Sequence, residues 1–279
     1  MKRVLVSADD FGLSSVVNEA IERAHREGIL TSASLMMGAP ATEDAVRRAR
    51  SLPSLRVGLH LVVVEGTPVL PPAKIPALVD EHGKFPSDQF RLGLRYFFCP
   101  HIRRQLQAEI HAQFSAFAAT GLTLDHANAH KHMHLHPTVG TIMIDVGRDF
   151  GLRALRVPAE PPRVIADCGA TVTLSQRLLY RWTMLLRRQA RRANLHVNDH
   201  CFGLAWSGQM TAEQLLTLIP RLPDGVTEIY FHPAARRDPA LDALMPDYAH
   251  EEEMAALLDP RVRKALASCE LLQGYTALG

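Results

Sequence analysis

Nowhere in this chain of 279 residues does an apolar run extend far enough to cross a bilayer. The start, Met1-Lys2-Arg3 followed directly by Val4 to Ala8, is too short for a signal-peptide core. Cysteine is scarce: Cys99, Cys168, Cys201 and Cys269 are widely spaced and form no C-x-x-C pair, so neither a disulfide framework nor a cysteine zinc site is indicated. The simplest reading is a reduced, cytoplasmic protein, or one working at a membrane surface that faces the cytosol. A glycine-rich phosphate loop is also missing, which argues against phosphate cradling. Net charge is only +2, with a pI near 8.4, too mild to make nucleic acid the main partner.

What is present suits a folded enzyme. With 47% hydrophobic and 22% charged residues, the chain can bury a sizeable core, and its length falls in the range of one α/β barrel domain covering residues 1–279. Residues 3–8 read as a buried strand, and Val17, Ala20, Ile21 and Ala24 recur at helical spacing after it. Further strands are expected at 31–36, 56–64, 122–126, 154–157 and 228–231, with helices at 42–51, 102–119, 138–150 and 250–267. Alternation of this kind predicts a parallel sheet with crossover helices, an α/β fold of the distorted, TIM-like β/α barrel type. In such a barrel, chemistry collects at the C-terminal ends of the strands.

Histidine is concentrated. The chain has 14, and four of them, His130, His132, His134 and His136, occupy alternate positions in one short stretch. If that stretch is extended, the four imidazoles line one face and Lys131, Met133 and Leu135 the other. Neutral imidazole is the commonest protein ligand for divalent metals, so an imidazole ladder suits a metal-assisted hydrolase. The plainer alternative is a solvated or metal-sequestering tract.

Other polar residues fall at expected strand ends. Asp9 and Asp10 follow the first strand, and two adjacent aspartates there are costly unless a cation neutralises one. Asp10, His60 and His130 would offer one oxygen and two nitrogens to a metal, leaving positions for water and a substrate carbonyl. Asp9 could then act as base, Arg156 could hold it ionised, and His232 could protonate the leaving group. Singly, each has a plainer reading: a helix cap for the aspartates, a core histidine at His60, a strand terminator at His232, a surface ion pair at Arg156. Their joint placement favours the site.

Residues 160–210 depart from the strand–helix rhythm and read as an insertion. Within them, 174–192 is apolar and arginine-rich, with no acidic residue. Such a helix can lie on an anionic membrane surface, cover a lipid-like substrate, or pack on the barrel with its arginines in water.

The motifs Ala8-Asp9-Asp10-Phe11-Gly12-Leu13, Gly58-Leu59-His60-Leu61, His130-Lys131-His132-Met133-His134 and Phe231-His232-Pro233 together resemble the YdjC-like carbohydrate deacetylases. The resemblance implies a distorted β/α barrel, one divalent metal ion (magnesium or zinc), and removal of acetyl from an N-acetylated sugar. It implies metal ligands at Asp10, His60 and His130, the base at Asp9 and a catalytic His232; Arg156-Val157-Pro158 is similar to an arginine motif of related deacetylases. His132, His134 and Phe11 are the candidates for substrate contact. Family members commonly carry Asp-Ser before the metal-binding histidine, where this chain has Asn128-Ala129, so either the acidic partner is dispensable or the supporting hydrogen bond is made differently, with Asp125 or Asn128 as substitutes.

The string from Asn128 to Pro137 looks most like the hopanoid-biosynthesis-associated branch, HpnK, implying an acetylglucosaminyl group on a pentacyclic lipid. The alternatives are a soluble chitooligosaccharide substrate, or a non-catalytic metal- or glycolipid-binding protein; a phosphoesterase fits less well because a single metal site is evident. A homodimer is the base-rate expectation.

Overall fold

The computed structural model describes residues 1–278, which form a parallel sheet wrapped by helices. The strands are β1 (Lys2–Phe11), β2 (Ser32–Leu35), β3 (Arg56–Leu61), β4 (Leu124–Ala129), β5 (Ala154–Leu155), β6 (His196–Val197), β7 (His200–Phe202), β8 (Gly225–Phe231) and β9 (Glu270–Leu271). The helices are α1 (Ser15–Glu27), α2 (Thr42–Arg50), α3 (Gln89–Phe98), α4 (Pro100–Ala119), α5 (Pro137–Asp149), α6 (Pro162–Asp167), α7 (Leu174–Arg192), α8 (Ala212–Leu218), α9 (Pro239–Leu244), α10 (His250–Leu258) and α11 (Pro260–Leu266). Eight strands lie in the order β6-β5-β4-β3-β2-β1-β8-β7, all parallel, and curl into an incompletely closed barrel. This is the distorted β/α barrel the alternation predicts.

Each strand sorts its side chains by parity. On β1, Val4, Val6 and Ala8 join the large apolar layer shared with the helices, while Leu5, Ser7 and Asp9 face inward. The inward set continues with Ser34, His60, His126, Asn128, Arg156 and Glu228, so above its base the barrel is filled with polar groups rather than hydrocarbon. Gly58 makes room for this filling: a Cβ there would lie 2.5 Å from the His126 ring. At the base, Leu272 and Tyr275 enter behind β9 and pack on Leu5, Ala154 and Val226.

Several expectations are corrected. The segment 160–210 is not simply an insertion: α7 is the crossover between β5 and β6, and β7 follows at once. Strands of two and three residues are too short to show a period. The helix expected over 250–267 is two, because Pro260 lacks the N–H needed to continue α10; Asp259 instead caps α11, accepting from the Arg261 N–H at 2.7 Å. The stretch 130–136 is not extended. β4 stops at Ala129, and Lys131 and His132 take left-handed φ values of 50° and 54° within a 3-10 turn over His130–Leu135, so the four imidazoles point in different directions. No helix among the described residues is long and apolar enough to cross a membrane.

Asp125 ties β4 to the C-terminal segment, accepting from His126 Nδ1 (3.0 Å), from the N–H groups of Tyr275 and Thr276 and from the Thr276 hydroxyl. Burial alone would raise its pKa, but the hydrogen bond from His126 and the two backbone donors outweigh burial and hold it at about 2. A lowered carboxyl pKa stabilises the fold above the unfolded value and loses that contribution as pH falls through the folded one, here from about pH 4 to pH 2. Urea titrations should therefore show Asp125→Asn less stable than the parent by about 2 kcal/mol at pH 7, with the gap closing toward pH 2. A gap independent of pH would refute this account.

Candidate metal centre and active site

The mouth of the barrel holds a cavity of about 550 Å³, on the scale of a sugar of one or two rings, lined by Asp9, Asp10, His60, His130, Tyr230 and His232 among others. A break in strand parity brings both aspartates there. Asp9 faces inward by alternation; Asp10 then takes φ 59°, which shifts the β1–β2 register and turns its side chain to the same side. His60 lies on β3 beside its register partner Asn128 on β4, and His130 continues the inward parity of β4 just before the left-handed turn.

Asp10 Oδ1 is buried and has no hydrogen-bond partner. It stands 3.3 Å from His60 Nε2 and 3.2 Å from His130 Nδ1, and the two nitrogens are 3.4 Å apart. Donor atoms of these three residues all lie within 4.8 Å of one another. An orphaned carboxylate oxygen converging with two imidazole nitrogens fits a divalent cation, and mixed oxygen and nitrogen donors do not single out one ion.

The hydrogen bonds beneath fix the ring states. An amide oxygen only accepts, so His60 Nδ1 donates to Asn128 Oδ1 at 2.7 Å, which leaves Nε2 as the ligand atom. Asn128 Nδ2 donates to Asp9 Oδ1 at 3.1 Å and to Ser34 Oγ at 3.0 Å. Ser34 then donates to His126 Nε2 (3.1 Å), whose Nδ1 donates to Asp125. Of the two residues expected to replace the acidic partner of the family pattern, Asn128 supports the site directly and Asp125 lies further below.

Arg156, wholly buried, donates through Nη1 to Asp9 Oδ2 (2.5 Å), through Nη2 to Glu228 Oε1 (2.7 Å) and Ser7 Oγ, and through Nε to Glu228 Oε2 (2.9 Å). Burial opposes ionisation of Asp9, but the Arg156 charge, followed by His60, holds its pKa far below the usual carboxylate range. For Asp10 burial is likewise outweighed, by the adjacent imidazoles of His130 and His60, which hold its pKa well below the usual carboxylate value. Burial would lower His60, and the charges of Asp9 and Asp10 raise it instead.

His232 follows β8 with its N–H given to Glu253 and its carbonyl accepting from His250 Nδ1 at 2.5 Å. Burial lowers its pKa, countered by Asp10 and Asp9, so its proton-donating form grows as pH falls. Among the substrate-contact candidates, His132 lines the cavity with Nε2 3.0 Å from the Tyr230 hydroxyl. His134 and Phe11 do not reach it. His134 is buried against the Arg156 carbonyl (3.1 Å), and Phe11, past the turn at Asp10, sits in the outer apolar layer. Glu228 and Tyr230 were missed, although a glutamate in the apolar run Glu228-Ile229-Tyr230-Phe231 is the period-two signal that could have found them.

Two measurements follow from this geometry. Calorimetric titration with a divalent cation at pH 7 should show proton release, since the proton raised onto His60 must leave its ring. Asn128→Ala should weaken binding about 10- to 100-fold with unchanged circular dichroism; unchanged affinity would mean that Asn128 does not set the His60 ring.

The model of the YdjC-like protein family matches residues 3–268. A carbohydrate deacetylase from Geobacillus stearothermophilus is 32% identical over 265 residues, covering 94% of this chain and 92% of that protein. Another carbohydrate deacetylase, from Thermoanaerobacter pseudethanolicus, is 26% identical over 279 residues, the full length of both. A solved structure from Enterococcus faecalis V583 superimposes with a TM-score of 0.76 at 23% identity, over 100% of this chain and 99% of that one, and so shares the fold. With the match running from the first strand past the last helix, the chain belongs to the YdjC-like protein family.

Proposed function

We propose that the protein removes the acetyl group from an N-acetylated sugar by metal-assisted hydrolysis of the amide. The observation that carries this reading is the meeting of two sets of groups in one cavity: Asp10, His60 and His130 as a cation site, and Asp9 with His232 as a proton acceptor and donor. The relatives named carbohydrate deacetylases agree with it. A divalent cation held by Asp10, His60 and His130 would supply Lewis acidity to the acetyl carbonyl and to the attacking water.

Asp9 is ionised at neutral pH, and Arg156 and Asn128 fix its two oxygens, so it is oriented to take a proton from water as the oxygen adds to the carbonyl carbon. When the carbon–nitrogen bond breaks, protonated His232 gives a proton to the leaving amine and acetate remains. His132 and Tyr230 line the wall as a linked pair that can hydrogen-bond a sugar hydroxyl.

The finer reading is an acetylglucosaminyl group carried on a hopanoid lipid. It is supported by the Asn128 to Pro137 string, while the names of the relatives fit a soluble chitooligosaccharide equally well. Acetate release from an N-acetylglucosaminyl hopanoid and from diacetylchitobiose, assayed side by side, separates the two. Asp9→Asn should lower kcat by roughly 10²- to 10⁴-fold with metal content unchanged. Metal retained with no turnover of either substrate by the parent would favour a binding protein instead.

A further inference from the structure

Eight of the ten large hydrophobic side chains exposed among the described residues lie on two helices flanking one side of the barrel mouth. On α3, Phe90, Leu94, Phe97 and Phe98 form an outward stripe, while Leu92 and Tyr96 are buried on the other side. On α7, Leu174, Leu178, Trp182 and Leu185 do the same, opposite the buried Thr183, Leu186 and Ala190. Phe90 is 77% exposed and Leu174 72%, too open to be a core face that is merely frayed.

Between the helices runs an apolar groove with Trp182 and Phe97 on its walls, and Trp182 Nε1 donates to the Leu135 carbonyl at 2.8 Å. Lys131, His132 and Leu204 border both this groove and the cavity, so the two openings adjoin. Charge accompanies the stripe. At about 100° per residue, Arg177, Arg181, Arg188 and Arg192 lie roughly 70° round α7 from the apolar crest, all exposed. Neither α3 nor α7 carries an acidic residue. The nearest acid before α3, Asp88, is engaged as its cap, accepting from the Arg91 N–H at 2.9 Å.

We propose that the α3–α7 face docks on a lipid bilayer bearing anionic headgroups, its phenylalanines, leucines and Trp182 entering the interface and its arginines meeting lipid phosphates, with the mouth of the cavity held against the surface. An apolar crest bordered by arginines is the pattern of a helix that lies in the plane of a membrane interface. The proposal goes beyond the deacetylase reading, and its readout needs no turnover.

The experiment is co-sedimentation of the full chain with vesicles of phosphatidylcholine alone and of phosphatidylcholine with phosphatidylglycerol, following tryptophan fluorescence, to which Trp182 and Trp206 both contribute. Expected are at least tenfold stronger binding to the anionic vesicles and a blue shift of the emission. One variant combines Phe90→Ser, Phe98→Ser and Leu178→Ser; a second combines Arg177→Gln, Arg181→Gln and Arg188→Gln. Each should lose binding tenfold or more, with circular dichroism and metal binding unchanged. Absence of binding by the parent overturns the proposal, as does binding that survives both variants. So does a dimer that the serine variant dissociates while neither form binds vesicles, since the face would then be covered by a second copy.

Discussion

Arg156 has no contact with water, and its guanidinium meets a carboxylate on each side, Asp9 at the mouth and Glu228 further down. Taking such charges out of water costs several kcal/mol per ion, which attraction offsets only when every donor and acceptor is matched. Here they are matched. Glu228 also accepts from Ser7 (2.6 Å) and from the Tyr275 hydroxyl (2.5 Å), and the guanidinium lies 4.8 Å from the centre of the Tyr230 ring. One group thus joins β1, β5, β8 and the segment behind β9. The position of Asp9 is set by the same bonds that tie these strands together around the barrel's polar filling.

The fold was legible wherever an element was long enough to show its period. β1, α1, α4 and α5 announce themselves by apolar spacing, and from them the barrel follows. β6 and β7 escaped because two or three residues carry no period, and α3 because its apolar residues face outward and imitate no core stripe. The site was legible as a set of residue types at strand ends: Asp9, Asp10, His60, His130 and His232 all line one cavity. What could not be read were the bends that aim them. Asp10 reaches the cavity through a left-handed backbone that no spacing rule announces. Two left-handed residues at Lys131 and His132 scatter an alternation that, taken as a strand, would have stacked four imidazoles.

That scattering divides the labour among the histidines. His130 joins the cation site, His132 the cavity wall and His134 the support of the Arg156 backbone, while His136 lies among the rings of Tyr96 and Phe97. Four identical side chains in one short stretch therefore meet four environments. Burial lowers the pKa of the last three, keeping them neutral where His60 is drawn toward its charged form by two aspartates.

Asn128, which stands where family members commonly carry an acid, has a consequence for electroneutrality. The three carboxylates of Asp9, Asp10 and Glu228 and the single guanidinium of Arg156 leave two negative charges inside the barrel. A divalent cation cancels them, and the neutral amide at position 128 adds nothing to the sum. With an aspartate there, the loaded centre would keep one uncompensated charge in a medium that screens it poorly, or would have to retain a proton to remove it. The amide at position 128 thus adds no negative charge beside Asp9 and Asp10, leaving Asp9 open to the proton that hydrolysis releases.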